Sequence, residues 1–414
     1  MRQTRSRLLH LAVLTTAFTM SVTVTLSWAW TGGADRLGAP PPYRPPVVVD
    51  PAVTAPGTSL PVPPGPPSNL APEPVPGPDT AGPRPGIVPV GHRSESGRER
   101  TCRTGARLVP TCGILWGVAP GAHTEAQGSW ALNEFERKTG RHQAVFHGYH
   151  KGTRQLFPTE QEIRIAREPG RERILLLNWK PETTTWARIA RGDRHTDEFL
   201  DRLAEHLREN FRERFFFAIH HEAEDQVRER VGSGYTARDY AAMFRHVVKR
   251  LRAKGATNVV TVLVHMAYVP HTTKSWFQHM YPGDDVVDWI GFDTYSYSDP
   301  GYGHGDFDEL LNRRSASKPG WPGFYNWVRG RHPDKPLMVA EWAVWFSERN
   351  PGHMAEFYRE VGQQIGRFPG IKAMVHFETP ANHKGQDSSV DSTPAALREY
   401  RRLGRLPVFQ VSVN

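Results

Sequence analysis

The chain has 414 residues, with 52 Lys or Arg against 43 Asp or Glu and a formal net charge of +9. This length fits two or three average domains, or one large barrel of about 250 residues or more. A nucleic-acid-binding surface is disfavoured, because the basic residues alternate with acids along helical stretches such as TDEFLDRLAEHLRENFRER, a pattern typical of a solvated helix face.

Residues 1–30 have the layout of a secretory signal. Basic residues near the start precede an apolar stretch from Leu8 to Trp30, and Ala29 lies at a plausible cleavage position. An apolar stretch of about this length also suffices to cross a bilayer as an uncleaved anchor. Both interpretations predict export, so we expect the protein to be secreted or held at the extracellular face of the cell membrane. Any membrane contact is expected through this segment alone.

Residues 31–100 are predicted to form a disordered linker. Proline dominates, as in PPPYRPP and PVPPGPP, and charged or aromatic residues are rare over most of the segment. Such a composition cannot bury enough apolar surface to fold and behaves as a semi-rigid polyproline spacer. We therefore assign the folded domain to residues 101–414.

The two cysteines, Cys102 and Cys112, lie just before the first apolar strand. In an exported protein this arrangement predicts a local disulfide, with a pair of unlinked thiols as the alternative. Two cysteines alone do not support a metal site. We predict neither a metal nor another cofactor.

Beyond the linker, strand-like apolar runs alternate with amphipathic helical runs, which favours a parallel β/α architecture. Eight strands are predicted: GILWGVA from Gly113, QAVFHGY from Gln143, RILLLNW from Arg173, FFFAIHHE from Phe215, NVVTVLVHM from Asn258, VVDWIGFDTY from Val286, PLMVAEW from Pro336 and IKAMVHFE from Ile371. An open doubly wound sheet is less favoured, because the first turn, GVAPGAH, lacks G-x-G-x-x-G. The predicted fold is an α/β protein, a (β/α)8 TIM barrel.

Two of these runs carry a glutamate at their end, Glu222 after the fourth strand and Glu341 on the seventh. In a closed eight-stranded barrel these strand ends face each other across the mouth, where such barrels build their active sites. Glycoside hydrolysis needs such a pair, one carboxyl to protonate the leaving oxygen and one to attack the anomeric carbon or to activate water. The sequence therefore predicts a glycoside hydrolase. A retaining mechanism predicts a carboxyl separation of about 5–5.5 Å, whereas about 9 Å indicates inversion.

Other polar and aromatic residues are predicted at the same strand ends. Sugars present apolar C–H faces that suit aromatic platforms. The predicted substrate-binding residues are Trp179, Trp342, Trp345, His376 and Phe377. Each tryptophan could equally be a core residue.

Five motifs in this order resemble glycoside hydrolase family 26: NWKP from Asn178, HHE ending at Glu222, YPGDDVVDWIGFDTYS from Tyr281, KPLMVAEW from Lys335 and IKAMVHFE. The similarity covers the region from about Gly113 to Leu406. It implies a retaining enzyme on a (β/α)8 barrel, with β-mannan as the first substrate to consider.

The resemblance implies that Glu222 is the acid/base and Glu341 the nucleophile. It also implies supporting roles for His221 and for Tyr295, the latter as a hydrogen-bond donor to the nucleophile. The sequence departs from the R-x-x-H-E-x-N-G pattern common in mannanases: Ala218 replaces the arginine and Glu224-Asp225 replace Asn-Gly, and Phe377 stands where a tryptophan is frequent. These departures leave both carboxyls in place but put mannan specificity in question.

Two other functions remain open at this stage. One is a non-catalytic glycan-binding barrel at the cell surface, suggested by the altered residues around Glu222 and by the long linker. The other is a metal hydrolase built on the cluster from His220 to Asp225, because imidazole and carboxylate are ordinary metal ligands. The expected partner is a polysaccharide and not a nucleic acid, and the chain is expected to be a monomer.

Overall fold

The computed structural model describes residues 102–124, 126–301 and 306–413. The predicted signal or anchor segment and the predicted linker lie outside these residues. Among the helices that are described, none is both long enough and apolar enough to cross a bilayer.

Eight parallel strands close into a barrel in the order in which they occur along the chain, β1 pairing with both β2 and β8. All eight predicted strands are confirmed, as is the predicted (β/α)8 barrel. The strands are β1 Leu115–Pro120, β2 Val145–Lys151, β3 Ile174–Lys180, β4 Phe215–Ile219, β5 Val259–Met266, β6 Trp289–Tyr297, β7 Leu337–Trp345 and β8 Ile371–Glu378.

The helices surround the strands. They are α1 Ser129–Thr139, α2 Glu160–Ala166, α3 Trp186–Ala190, α4 Arg194–Asn210, α5 Ala237–Ala253, α6 Val269–Thr272, α7 Phe307–Leu311, α8 Phe324–Arg331, α9 His353–Gln364 and α10 Pro394–Gly404. Capping residues fix the two ends of α5, one of the longest helices. In α5, Thr236 and Asp239 form a reciprocal capping box at the start, and Gly255 adopts the left-handed conformation (φ 83) just past the end.

Side chains of successive strand residues point alternately into the barrel and out toward the helices. Inward residues such as Leu176, Phe216 and Val262 pack together inside the barrel. Outward residues such as Leu175, Phe217 and Leu263 belong to the larger core between barrel and helices. This alternation decides which residues at the strand ends can reach the mouth of the barrel.

A short segment before β1 covers the N-terminal end of the barrel. Cys102 and Cys112 form the predicted disulfide, which is confirmed. Within the loop that it closes, Leu108 is buried against the inner barrel core, and the Arg107 carbonyl accepts a hydrogen bond of 2.7 Å from the indole of Trp289. The barrel is thus plugged at this end, and only the opposite end can receive a large substrate.

Candidate active site

Glu341 is the middle residue of β7 and lies at a β-bulge. Met338 and Ala340 point inward, whereas Trp342 points outward, and the pairing of β7 with β6 and with β8 shifts by one residue between Val339 and Trp342. The extra residue in β7 turns the Glu341 side chain toward the barrel interior, as bulges beside active sites commonly do. Glu341 is buried, with 4% of its surface exposed.

Two tyrosine hydroxyls donate hydrogen bonds to the two oxygens of Glu341. Tyr149, on β2, donates to Oε1 at 2.8 Å, and Tyr295, on β6, donates to Oε2 at 2.5 Å. Burial raises the pKa of Glu341 to about 7, although both hydroxyls favour the ionised form and limit the rise. The expected contact between Tyr295 and Glu341 is therefore present.

Glu222 follows β4 by three residues and is only partly exposed. Two residues here, His220 and Glu222, have left-handed backbone conformations with φ 51 each. Such conformations are unfavourable for residues other than glycine and cluster at functional sites. The turn breaks the strand alternation and allows Glu222 to face the mouth. Burial and the negative charges of Glu341, Glu224 and Asp225 raise the pKa of Glu222 well above its ordinary value.

The two histidines before Glu222 point in different directions. The Nε2 atom of His221 lies 3.9 Å from Glu341 Oε1, and burial and the positive charges of Lys180 and His123 lower the pKa of His221 to about 4. His221 is therefore neutral near pH 7. His220 instead accepts a hydrogen bond of 3.0 Å from the Trp186 indole, beneath α3.

A third carboxyl, that of Asp293 on β6, lies in the same site as Glu222 and Glu341. Asp293 is buried, and neither of its oxygens has a hydrogen-bond partner among the described residues. Burial and the charges of Glu341, Glu222 and Glu224 raise its pKa well above the ordinary value. A carboxyl oxygen of Asp293 lies within 4.8 Å of one of Glu341, and two carboxylates this close in a buried site do not both ionise readily. The site therefore holds at least one proton near neutral pH.

Aromatic side chains form one wall of the mouth. Trp345 stacks on Tyr295 with ring centroids 5.1 Å apart, and Phe377 contacts Tyr295 edge-on at 5.8 Å. His123, in the loop after β1, packs edge-on against Phe377 at 5.1 Å. Of the five predicted substrate-binding residues, Trp345 and Phe377 are thus brought beside the glutamates.

The other three predicted substrate-binding residues require correction. Trp179, Trp342 and His376 are fully buried on the outer side of the barrel and offer no surface to a sugar. Trp179 packs against Phe199 of α4 and donates its indole hydrogen to the Gly152 carbonyl. Trp342 and His376 pack against each other and on Tyr400 of α10. Trp179 and His376 have the strand parity that points outward, whereas Trp342 shares the parity of the inward Met338 and Ala340 and is turned outward by the bulge in β7.

Sequence reasoning did not select three residues that the structure brings to the glutamates: Tyr149, Asp293 and His147. Tyr149 and His147 both point inward from β2, and their rings lie 4.4 Å apart. The signal was present, because both share the parity of the inward Val145, and Tyr149 lies in the second half of the strand. Asp293 carried the same signal, because it shares the parity of the inward Trp289 on β6.

The predicted metal alternative is not supported by the placement of its residues. From the cluster at the end of β4, His220 turns to Trp186, Glu224 to His265, and Asp225 to His271 at the surface. A different trio, His221, Asp293 and Glu341, brings three ligand atoms within 4.8 Å of one another. Since both oxygens of Glu341 already accept tyrosine hydrogen bonds, we assign this trio to proton chemistry.

A (β/α)8 barrel with two glutamates after β4 and on β7 defines a class, the barrel glycoside hydrolases. Comparison with known families agrees with this class. The model of Glycosyl hydrolase family 26 matches residues 192–367, a stretch that contains both glutamates. The resemblance found in the sequence is thereby confirmed: residues 192–367 of the barrel match glycoside hydrolase family 26.

Two individual proteins are similar to parts of this chain. Endoglucanase H of Acetivibrio thermocellus is 28% identical over 238 residues, which cover 55% of this chain and 24% of that protein. Beta-1,3-xylanase TXYA of a Vibrio species is 31% identical over 67 residues, 16% of this chain and 15% of that protein. The chain thus matches at most about a quarter of the length of these two relatives.

Among solved structures, the GH26 beta-mannanase BoMan26A from Bacteroides ovatus superimposes with a TM-score of 0.51 at 17% identity. The superposition covers 72% of this chain and 90% of that one. At this level of identity the likeness shows the fold alone.

Proposed function

We propose that the chain is a retaining β-glycoside hydrolase that cleaves a β-linked polysaccharide by double displacement. Glu341 is the nucleophile and Glu222 the acid/base. The two carboxyls differ in environment, and this difference supports the proposal most strongly. Glu341 is anchored by hydroxyls that favour its ionised form, whereas burial and negative charge favour the protonated form of Glu222. Environments that separate two titratable groups in this way assign acid and base roles.

In the first step, a Glu341 carboxylate oxygen attacks the anomeric carbon while the bond to the leaving oxygen breaks. Glu222 transfers its proton to that oxygen, so the leaving chain departs as a neutral alcohol. A glycosyl ester on Glu341 remains. Tyr149 and Tyr295 hold the carboxylate in one orientation, which reduces the entropy lost on reaching the transition state.

In the second step, the ionised Glu222 removes a proton from water, and the water oxygen attacks the anomeric carbon of the glycosyl ester. Glu341 leaves as a carboxylate. Esterification has meanwhile removed the negative charge of Glu341, which lowers the proton affinity of Glu222 and suits it to act as a base. Two inversions give net retention at the anomeric carbon.

The substrate class follows from the site and from the family. Trp345 keeps 7% of its surface exposed and suits the apolar face of a sugar ring, and Phe377, which is only 2% exposed, packs against it. On the same face of the barrel, at the start of α1, the Trp130 side chain is 68% exposed and offers a further platform for a long chain. The relatives carry the names endoglucanase, xylanase and mannanase. We propose a β-glycan, with β-mannan tested first.

The N-terminal sequence supports export of the enzyme. A signal or anchor in residues 1–30 and a spacer in residues 31–100 would present the barrel to polysaccharides outside the cell. The disulfide between Cys102 and Cys112 suits an oxidising compartment.

A panel of polysaccharides tests the activity directly. The wild-type protein is incubated with β-mannan, β-glucan, xylan and actinobacterial wall glycans, and reducing ends are measured. We expect one of these to be cleaved, and Glu222→Gln and Glu341→Gln to abolish the release of reducing ends. Binding of a polysaccharide without any cleavage, unchanged in both variants, would instead establish a non-catalytic glycan-binding barrel.

A further inference from the structure

Two lysines lie side by side at the mouth of the barrel. Lys151 is the last residue of β2 and Lys180 the last residue of β3, and the two are register partners in the parallel sheet. Both have the strand parity of the inward residues Val145 and Ile174, so their side chains leave the strands toward the mouth. Neighbouring strands are about 4.8 Å apart, so ammonium groups that start from adjacent positions repel each other. An anion bound between the two lysines would relieve this repulsion.

The lysine pair lies one layer of inward residues above the nucleophile. Tyr149, which donates a hydrogen bond of 2.8 Å to Glu341, is the inward residue that precedes Lys151 on β2. Its register partner Asn178 likewise precedes Lys180 on β3. Two residues advance by about 6.6 Å along a strand, here toward solvent. A sugar chain seated on Glu341 therefore has both lysines at the rim beside it.

The positive charge of the pair is only partly offset by acids. Of the acids that the structure describes, Glu182 alone contacts the pair, with its Oε1 atom 3.5 Å from Lys180 Nζ. Solvent weakens this contact, because the two side chains are 42% and 36% exposed. Lys151 is exposed and has no ion pair within the described part of the chain. Arg154, three residues further along the same loop, is exposed as well.

We propose that Lys151 and Lys180 bind an anionic group of the glycan, so that the preferred substrate is a β-glycan that carries carboxylate or phosphate groups. This inference rests on the proposed function and specifies the substrate of that same site. A lysine ammonium is a compact charge that binds either anion, so negative charge is the feature that the pair recognises. The excess of 52 basic over 43 acidic residues in the chain would also attract such a polymer to the enzyme.

A different role for the lysines must be separated from this one. Lys180 is near enough to the catalytic residues to influence them, since its charge helps to lower the pKa of His221. The lysines could therefore act by favouring the ionised forms of Glu222 and Glu341. In that case they would affect the reaction with every substrate, whereas binding of an anionic group affects the charged substrate alone. A comparison of charged and neutral substrates separates the two roles.

The experiment compares three forms of the polysaccharide that the wild-type protein cleaves. They are the neutral polymer, the same polymer carboxymethylated on a small fraction of its hydroxyls, and the same polymer phosphorylated to the same degree. We expect kcat/KM at low salt to be roughly tenfold higher on one of the charged forms than on the neutral form, through a lower KM. The better charged form identifies the anion. A kcat/KM on both charged forms that does not exceed the value on the neutral form overturns the proposal.

The preference should also depend on salt. Exposed charges are screened at high ionic strength, so the advantage of the charged polymer should shrink as salt is raised to about 1 M, where the Debye length is about 3 Å. The kcat/KM on the neutral polymer provides the reference at each salt concentration. A preference that is the same at low and high salt contradicts binding by the lysine pair.

Lys151→Met and Lys180→Met each remove one charge and keep a long side chain. We expect each to lower the ratio of kcat/KM on the charged polymer to that on the neutral polymer by about threefold, the effect of one exposed ion pair. Lys249→Met is the matched control, because Lys249 is an exposed residue near the C-terminal end of α5, toward the plugged end of the barrel. It should leave the ratio unchanged. Equal falls in all three variants overturn the proposal, as does a loss on the neutral polymer as large as that on the charged one.

Two further outcomes separate this inference from the proposed function. A wild-type protein that cleaves no glycan, neutral or charged, refutes the proposed function. An enzyme that cleaves the neutral polymer as readily as the charged forms refutes only the role of the lysine pair. Circular dichroism verifies that each variant is folded, and the two lysine variants are independent tests of the same site.

Discussion

The Tyr295 hydroxyl donates a hydrogen bond of 2.5 Å to Glu341 Oε2, from the strand next to the one that carries the glutamate. Tyr149 binds the other oxygen from β2, on the far side of the barrel. The carboxylate is thus held from two directions before any substrate arrives. Such preorganisation is what a nucleophile on a rigid strand requires.

Tyr295→Phe should lower kcat/KM by about 10- to 100-fold. A hydrogen bond to a charged group contributes about 1.5–3 kcal/mol, and its loss leaves the Glu341 carboxylate less stable. Because the hydroxyl favours the ionised form, its removal should also move the acid limb of the pH profile to higher pH. Steady-state kinetics across pH measure both effects.

The matched control is Tyr358→Phe. Tyr358 is a buried tyrosine of α9 whose hydroxyl has no hydrogen-bond partner within the described part of the chain. It packs on Trp342, outside the barrel. We expect this variant to retain the wild-type pH profile. Equal losses in both tyrosine variants would show that Tyr295 acts only through stability.

The pH dependence of the wild-type enzyme should be bell-shaped and displaced toward alkaline pH. Attack requires an ionised Glu341, so activity should rise as pH increases through about 7, the raised pKa of that residue. Proton transfer requires a protonated Glu222, whose pKa is also raised, so activity should fall at higher pH. The two limbs belong to the coupled cluster that includes Asp293.

A plot of kcat/KM against pH checks this prediction. An acid limb near pH 4, with full activity at pH 5, would contradict a buried Glu341. The measurement should be made at constant ionic strength, because exposed charges at the rim are screened by salt.

Aromatic residues at the strand ends show where sequence reasoning succeeded and where it failed. Trp345 and Phe377 were selected from their positions at the ends of apolar runs, and both contact Tyr295, which binds Glu341. Trp179 was selected on the same ground, although it shares the parity of the outward Leu175. Strict use of the two-residue period would have excluded it, and would likewise have separated His376 from Phe377.

Other features of the site could not be derived from the two-residue alternation of the strand sequences. The extra residue in β7 shifts the register without any glycine or proline to mark it. The two left-handed residues around His221 are histidine and glutamate, which seldom adopt that conformation. Both irregularities depend on long-range packing. They determine whether each glutamate, or instead the residue next to it, faces the mouth of the barrel.

Paired substitutions test the corrected assignment of the tryptophans. Trp345→Ala should raise KM for a long substrate by roughly tenfold, equivalent to about 1.4 kcal/mol of lost aromatic contact. Trp179→Phe should lower the melting temperature and leave KM unchanged, because its side chain is buried between β3 and α4. A raised KM in Trp179→Phe with an unchanged melting temperature would instead support the prediction from the sequence that Trp179 binds substrate.

A buried ion pair near the N-terminal end of the barrel should contribute strongly to stability. Arg173 donates hydrogen bonds to both oxygens of Glu136 at 3.1 Å, and both side chains are almost fully buried. Arg173→Met removes this partner from a buried carboxylate that still contacts Arg171 at 2.5 Å, and should lower the free energy of unfolding by about 1.5–3 kcal/mol. Arg137→Met, which removes an exposed pair with Glu134, should have no measurable effect in the same denaturant titration.

The central claim is that Glu341 forms the covalent intermediate. Glu341→Ala is incubated with an aryl β-glycoside of the cleaved sugar and with azide, and the product anomer is identified by NMR. With the carboxylate removed, azide should attack directly and yield the α-glycosyl azide, of inverted configuration. Glu222→Ala, which keeps the nucleophile, should yield the β-glycosyl azide instead. A β-azide from Glu341→Ala, or no rescue by azide at all, would contradict the assignment of Glu341 as the nucleophile.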